Sequence, residues 1–382
     1  MITKEGLEMV RHLLRKTASK NTSVSCHWVR SRQVSELLWI VGNKNKFDED
    51  GNVPVNSTGR KILRHYKETG WNFMPLVQAL TAVAALMHDL GKASAYFQEK
   101  LRSSSCSADP FRHEFISALL IQGMSRYYAE ENLDIWTEFA SDNMPRIADF
   151  ICYCREPEKE IKPQYRPFKK QSSIVLCCII WLVLSHHRLP LPVNDQGDIV
   201  TKNNLSGGAP TIAELLSYIT PGVTYRRFTE NCSNESRTFM ADLERCFDFS
   251  YEFSVFSKKW RNDLKKWCRR LLDVSPDIEK FSKDGTLRLI LKYARLSLML
   301  GDHFYSSQDS DPKWQSDCLL YANTDRDHGS LRQKLDEHLC GVKNIALKVS
   351  HYLPALENEL PHTGIIQALK HPKTNTSGRI RL

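Results

Sequence analysis

The 382-residue chain has no paired CxxC spacing among its eleven cysteines, which removes the usual framework for a cysteine-built zinc site. Its cysteine number is odd, and Cys177 and Cys178 lie inside an apolar run. That pattern suits reduced, mostly buried thiols of a cytoplasmic protein better than a disulfide scaffold. Long hydrophobic runs are also missing. The longest, Ile174 to Leu184, has eleven residues, too few to cross a bilayer as a helix, and the N-terminal MITKEGLEMVRHLLRK has no apolar signal core. No GxxxxGK[ST] phosphate loop occurs, no GxSxG nucleophile elbow, no internal repeat and no alternation of strand-like and helix-like segments. These absences argue against an ATPase, a serine hydrolase, a solenoid and a parallel α/β sheet.

What is present points to a globular, mainly helical protein. Hydrophobic residues make up 41%, charged residues 25% and aromatics 10% of the chain. The net charge of +9 and isoelectric point near 8.9 would suit a phosphate-rich partner, although the excess is spread along the chain and is equally compatible with ordinary solubility. Helical spacing is expected in a basic first helix carrying Leu7, Val10, Leu13 and Leu14, then from Met74 to Leu90, Phe115 to Tyr128, Ile174 to Leu184 and Leu287 to Leu300. A further apolar stretch covers Val34 to Val41. Residues 43–58 and 194–210 read as loops, 155–173 as an exposed segment, and 362–382 as a polar, basic tail. The expected architecture is an all-α helical bundle with long loops, in one large domain over residues 1–350, with 351–382 as a linker or the start of a further region.

The chemistry-bearing residues gather at the ends of the apolar helices. His88-Asp89-Leu90-Gly91-Lys92 closes the run from Met74, with Gly91 as the expected point of helix release. Imidazole nitrogens and carboxylate oxygens both suit divalent first-row metals, and one carboxylate can serve two ions. A histidine and a capping aspartate at a helix end would give the same letters. His186 and His187 follow the buried run directly, where a solvated helix end with a favourable dipole is the alternative. His113 precedes a helix, and Asp302 follows Gly301 just past Leu300, where a bound cation would offset its burial. His27 is a further candidate ligand, with His65 as its competitor. Lys92 is a candidate phosphate anchor. Asp325, Asp327 and His328 read as a solvated loop, and His303 as a neighbour of Asp302 rather than a ligand. Together, such helix ends could hold two divalent ions that activate water for phosphodiester hydrolysis.

HDLGK at 88–92, RHE at 112–114, SHH at 185–187 and the late aspartate in LMLGDHFYSS resemble the HD nuclease domain of the type I CRISPR nuclease–helicases. KNTSVSCHWVRSR at 20–32, ELLWIVGNKNKF at 36–47 and LDEHLCGVKNIA at 335–346 resemble the I-F branch in particular, and the resemblance covers roughly residues 1–350. It implies a metal-dependent endonuclease with two divalent ions (Mn, Ni, Co, Fe or Mg) that cuts single-stranded DNA exposed by a guide-RNA surveillance complex. It further implies that Asp89 bridges the ions, with His27, His88 and Asp302 on one and His113, His186 and His187 on the other. By the same resemblance the chain would start beyond an adaptation-nuclease-like domain and stop before the helicase, as a stand-alone component, a split product served by a separate helicase, or a truncated remnant. A nucleotide phosphohydrolase and a non-catalytic CRISPR-associated module are the competing readings.

Overall fold

The computed structural model describes residues 19–30, 35–49, 71–103, 109–154, 166–169, 173–194, 199–200, 211–220, 235–325 and 329–359, with single residues between 6 and 12. The chain divides into two compact units, residues 1–71 and 72–382. The described residues of the first unit form an antiparallel hairpin, β1 (Thr22–Arg30) and β2 (Ser35–Asn43), with His27 opposite Leu38. Both strands are rich in β-branched and aromatic residues, which favour a pleated conformation. Among the described residues this hairpin is the one two-stranded sheet in an otherwise helical fold, and β2 takes up residues 35–41 of the stretch expected only to be apolar, Val34 lying outside the described residues. The described residues from Gly6 to His12 are helical. Leu7, Val10, Leu13, Leu14, His65 and the tail 362–382 lie outside the described residues, as do most of 50–58 and 195–210.

The second unit is a helical bundle. In chain order its helices are α1 (Met74–Met87), α2 (Ala95–Ser103), α3 (His113–Glu130), α4 (Ile135–Ala140), α5 (Ile147–Phe150) and α6 (Ile174–Ser185). They are followed by α7 (Ile212–Ser217), α8 (Glu235–Cys246), α9 (Lys258–Val274), α10 (Ile278–Lys283), α11 (Thr286–Ser306) and α12 (Leu335–Glu359). α1 is apolar all round, and so it lies at the centre, packed against α6, α9, α11 and α12. Together with the turn that follows it, α1 is long and apolar enough to cross a membrane, but 89% of that stretch is buried inside the protein, as expected of a core helix.

Two sequence expectations change here. α1 ends at Met87, before His88, so Gly91 does not terminate it. Gly91 instead sits in a 3-10 turn, Leu90–Ala93, against the start of α3, where a Cβ would collide with the His113 carbonyl oxygen. Its N–H donates to Ser117 Oγ at 2.8 Å. Likewise α11 does not stop at Leu300 but runs on to Ser306, so Asp302 is a helical residue. Gly301 is needed for close approach rather than as a helix breaker, because a Cβ there would lie 2.8 Å from the backbone nitrogen of Ala346 on α12. A third difference is Phe168. It falls in the segment expected to be exposed, yet it is fully buried with its ring edge against Phe115.

Because α11 and α12 meet at Gly301, Gly301→Ala should push them apart. Overpacking of this kind costs about 1–3 kcal/mol. A melting curve should show a transition several degrees lower, and an unchanged melting temperature would contradict the close helix crossing.

Candidate metal centre

The site begins with the unsatisfied carbonyls at two helix ends. At the end of α1, His88 Nδ1 donates back to Ala85 O at 2.8 Å, and Trp260 Nε1 donates to Leu86 O at 3.0 Å. The end of α6 repeats the device: His186 Nδ1 donates to Val183 O at 2.7 Å, and Arg295 Nε donates to Ser185 O at 2.7 Å. In both cases the imidazole acts as a helix cap through Nδ1, which leaves Nε2 facing inward. Asp89 then leaves helical geometry, with φ −110° and ψ 16°. This departure resolves the angular problem of two adjacent helical residues, whose side chains would otherwise diverge by about 100°.

Two groups of side chains meet there. His88, Asp89, Asp302 and His338 form a fully buried group, and His113, His186 and His187 form a second group that reaches the surface at His187; within each group the potential ligand atoms lie within 4.8 Å of one another. Asp89 faces both groups. Its Oδ1 is 3.1 Å from His113 Nε2, while its Oδ2 is 3.3 Å from both His88 Nε2 and His338 Nε2. Asp302 also spans them, with Oδ1 at 3.4 Å from His338 Nε2 and Oδ2 at 3.5 Å from His187 Nδ1. Ser306 Oγ, one turn further along α11, donates to Asp302 Oδ1 at 3.0 Å. Lys92 lies 2.8 Å from Asp89 Oδ2, so here it neutralises the carboxylate.

His338 was not singled out in the sequence. It sits in the first turn of α12 and is fully buried between His88 and the two aspartates. Its signal is positional: Leu335, Leu339, Val342 and Ala346 recur at helical spacing and are buried, and His338 falls on that same apolar stripe. His27 lies in β1, in the other compact unit, and its side chain is outside the described atoms. Asp325 takes part in a turn with Ser330, while Asp327 and His328 lie outside the described residues. His303 is exposed, with its ring centroid 6.4 Å from that of His187.

The tautomer of His338 follows from its neighbour. Gln333 Nε2 donates to two carbonyls, Tyr305 O at 2.9 Å and Gln308 O at 2.8 Å, which fixes the orientation of its amide. Gln333 Oε1 must therefore be the atom that faces His338 Nδ1 at 2.9 Å, and it can only accept. Nδ1 thus carries a proton, and Nε2 points at Asp89 and Asp302. A lone pair aimed at carboxylate oxygens is repulsive unless a cation or a second proton lies between them.

The remaining atoms fit the same requirement. Nε2 of His88, His113, His186 and His338 and both oxygens of Asp89 are buried without an aligned hydrogen-bond partner. Burial is the largest influence on His88 and disfavours its charged form, yet the charges of Asp89 and Asp302 prevail and raise its pKa to about 10. Burial likewise opposes ionisation of Asp302, but His338 and His88 hold it far below the carboxylate range. Burial, with the nearby His88 and His187, keeps His186 neutral well below its usual range, and burial brings His187 down to about 4. His88 thus carries a second proton where a cation would otherwise stand, while His186 and His187 are neutral; imidazole nitrogens beside ionised carboxylates are the donor set that a divalent first-row ion takes in place of that proton, and the residues present therefore fit a metal. Gln333→Met should weaken divalent-ion binding about 10- to 100-fold at the buried group, the usual cost of losing such an outer partner. Calorimetric titration with Mn²⁺ would show it, while uptake at His113, His186 and His187 stays as in the wild type; equal affinities in the two proteins would refute the role given to Gln333.

Comparison with known proteins gives a consistent picture. The family model described as the Cas2 domain of the CRISPR-associated nuclease/helicase Cas3, I-F/YPEST, matches residues 1–44. The CRISPR-associated nuclease/helicase Cas3 subtype I-F/YPEST of Pectobacterium atrosepticum is 34% identical over 379 residues, covering 97% of this chain and 33% of the relative. Its counterpart from Pseudomonas aeruginosa is 33% identical over the same extent. The chain therefore spans about a third of the length of these curated relatives. Over nearly its whole length the chain is thus similar to one third of these I-F/YPEST CRISPR-associated nuclease/helicases.

Proposed function

We propose that residues 72–350 form an HD nuclease unit that hydrolyses phosphodiester bonds of single-stranded DNA in type I CRISPR defence. The observation that carries this reading is the pair of adjoining histidine groups with Asp89 turned toward both. Divalent ions bound there would supply Lewis-acid polarisation of a phosphoryl oxygen and a water-derived nucleophile near neutral pH. The protein's own side chains prepare for that chemistry. His88, His186 and His338 present Nε2 with the tautomer already set by their Nδ1 partners. His113 and His187, the more accessible pair, mark the side from which a strand would approach. Lys92, at the rim of the buried group, is proposed to hold a phosphate as a point charge once the charge of Asp89 is met by metal.

In this reading His88, Asp89 and Lys92 carry the reaction, and His88, Asp89, His113, His186, His187, Asp302 and His338 hold the ions. His27 is kept as a further candidate, since the resemblance named it. The metal would be Mn, Ni, Co, Fe or Mg. A guide-RNA surveillance complex would expose the strand and a helicase, if on a separate chain, would feed it. A cytoplasmic location fits the eight described cysteines, all free and seven of them buried.

Purified protein supplied with Mn²⁺ should nick circular single-stranded DNA. Asp89→Ala should lower the rate at least about 1000-fold, because both ion sites lose a shared ligand at once. Equal cleavage by wild type and Asp89→Ala would remove the metal mechanism. Hydrolysis of nucleotides with inert DNA would favour the nucleotide phosphohydrolase instead, and metal uptake with neither activity would favour a non-catalytic module.

A further inference from the structure

A groove of about 810 Å³ runs between α6, α7 and the start of α11, away from the histidine groups. Its charge is one-sided: Lys283, Arg288, Lys292 and Arg295 line it against a single acid, Asp284. Arg288, Lys292 and Arg295 stand at i, i+4 and i+7 of α11, so they share one face and follow each other by about 6 and 4.5 Å along the axis. The groove is not purely polar. Trp181, half-buried on α6, lines it together with Leu215 of α7 and Leu291 of α11.

The groove is joined to the metal centre in two ways. Arg295, from its wall, donates Nε to Ser185 O, the carbonyl just before His186. Leu189, 54% exposed, lines the groove and also a small cleft between Arg112, Glu114 and Arg188, the residues that flank His113 and His187 in the chain. Leu189 therefore borders both the groove and the cleft lined by the chain neighbours of His113 and His187.

We propose that this groove is the track for single-stranded nucleic acid on one side of the cleavage point, with Arg288 and Lys292 contacting phosphates and Trp181 offering a face to a base. Cations alone would serve any polyanion. The apolar wall has a use only when bases are unpaired and free to stack, and this selects a single strand over a duplex. The inference rests on the phosphodiesterase reading above for its direction, but its binding test does not need cleavage.

The experiment measures anisotropy of a labelled oligothymidine with metal-stripped protein over a range of salt. The proteins are wild type, the double variant Arg288→Gln/Lys292→Gln, and Trp181→Leu. Hydrolysis of bis(p-nitrophenyl) phosphate by each protein loaded with Mn²⁺ serves as a separate readout of the centre. We expect the double variant to bind about tenfold more weakly, with a salt dependence shallower by roughly 1.4, two contacts at about 0.7 each for a single strand. Trp181→Leu should lose affinity at every salt concentration with the slope kept. Hydrolysis of the small diester should be unchanged in both, which also shows that they are folded. Equal binding by wild type and double variant, equal affinity for a duplex of the same length, or preferential binding of polyglutamate would each overturn the proposal. Oligothymidine binding that behaves as expected, in a wild type that hydrolyses no diester, would uphold the groove and reject the nuclease reading alone.

Discussion

Asp89 and Asp302 are carboxylates placed in the interior of a helical bundle, at 0% and 3% exposure. Removing an ionised carboxylate from water costs several kcal/mol even after the protein relaxes, unless positive charge meets it. Much of the surrounding structure answers that cost. α1 and α6 end beside the pair and turn imidazoles toward it, α11 carries one of the carboxylates, and α12 brings His338. The C-terminal ends of α1 and α6 are themselves partially negative, which adds to the demand for a cation at that point. Lys92 answers part of it by its ion pair with Asp89. The remainder is met either by extra protons on the histidines or by metal.

The outer partners decide which nitrogens face inward. Ala85 and Val183 carbonyls set His88 and His186, and the amide of Gln333, tied to two carbonyls of its own, sets His338. Close helix packing then fixes the distances. Gly91 lets the turn after α1 lie against the start of α3, which carries His113, and Gly301 lets α11 lie against α12. Gly91 and Gly301 are thus both points of contact between elements that each carry a metal-binding candidate.

The apolar runs of α1 and α6 were long and continuous, and the histidines beyond them stood out because a buried helix must meet polar surroundings where it ends. The helical class was legible for the same reason. Asp302 was legible as a residue but not in its setting, because local propensity at Gly301 gives no sign of Ala346 packing across from it. His338 was hidden among charged neighbours in LDEHLCG, and only its place on the buried stripe of α12 marks it. The strands Thr22–Arg30 and Ser35–Asn43 are hard to read because the sequence from Val34 to Val41 lacks the strict apolar–polar alternation of a half-buried strand. Residues 1–44 match a Cas2-domain model, and residues 1–71 form a compact unit of their own.

The account stands on the two histidine groups accepting metal side by side, with Asp89 shared between them. Crystals of the protein soaked in Mn²⁺, with anomalous scattering recorded at the manganese edge, measure that directly. Two anomalous peaks about 3.5–4 Å apart, one among His88, Asp302 and His338 and one among His113, His186 and His187, with Asp89 between them, are the predicted result. Full soaking that leaves both groups without a peak, or with Asp89 turned away from the ions that do bind, would contradict it.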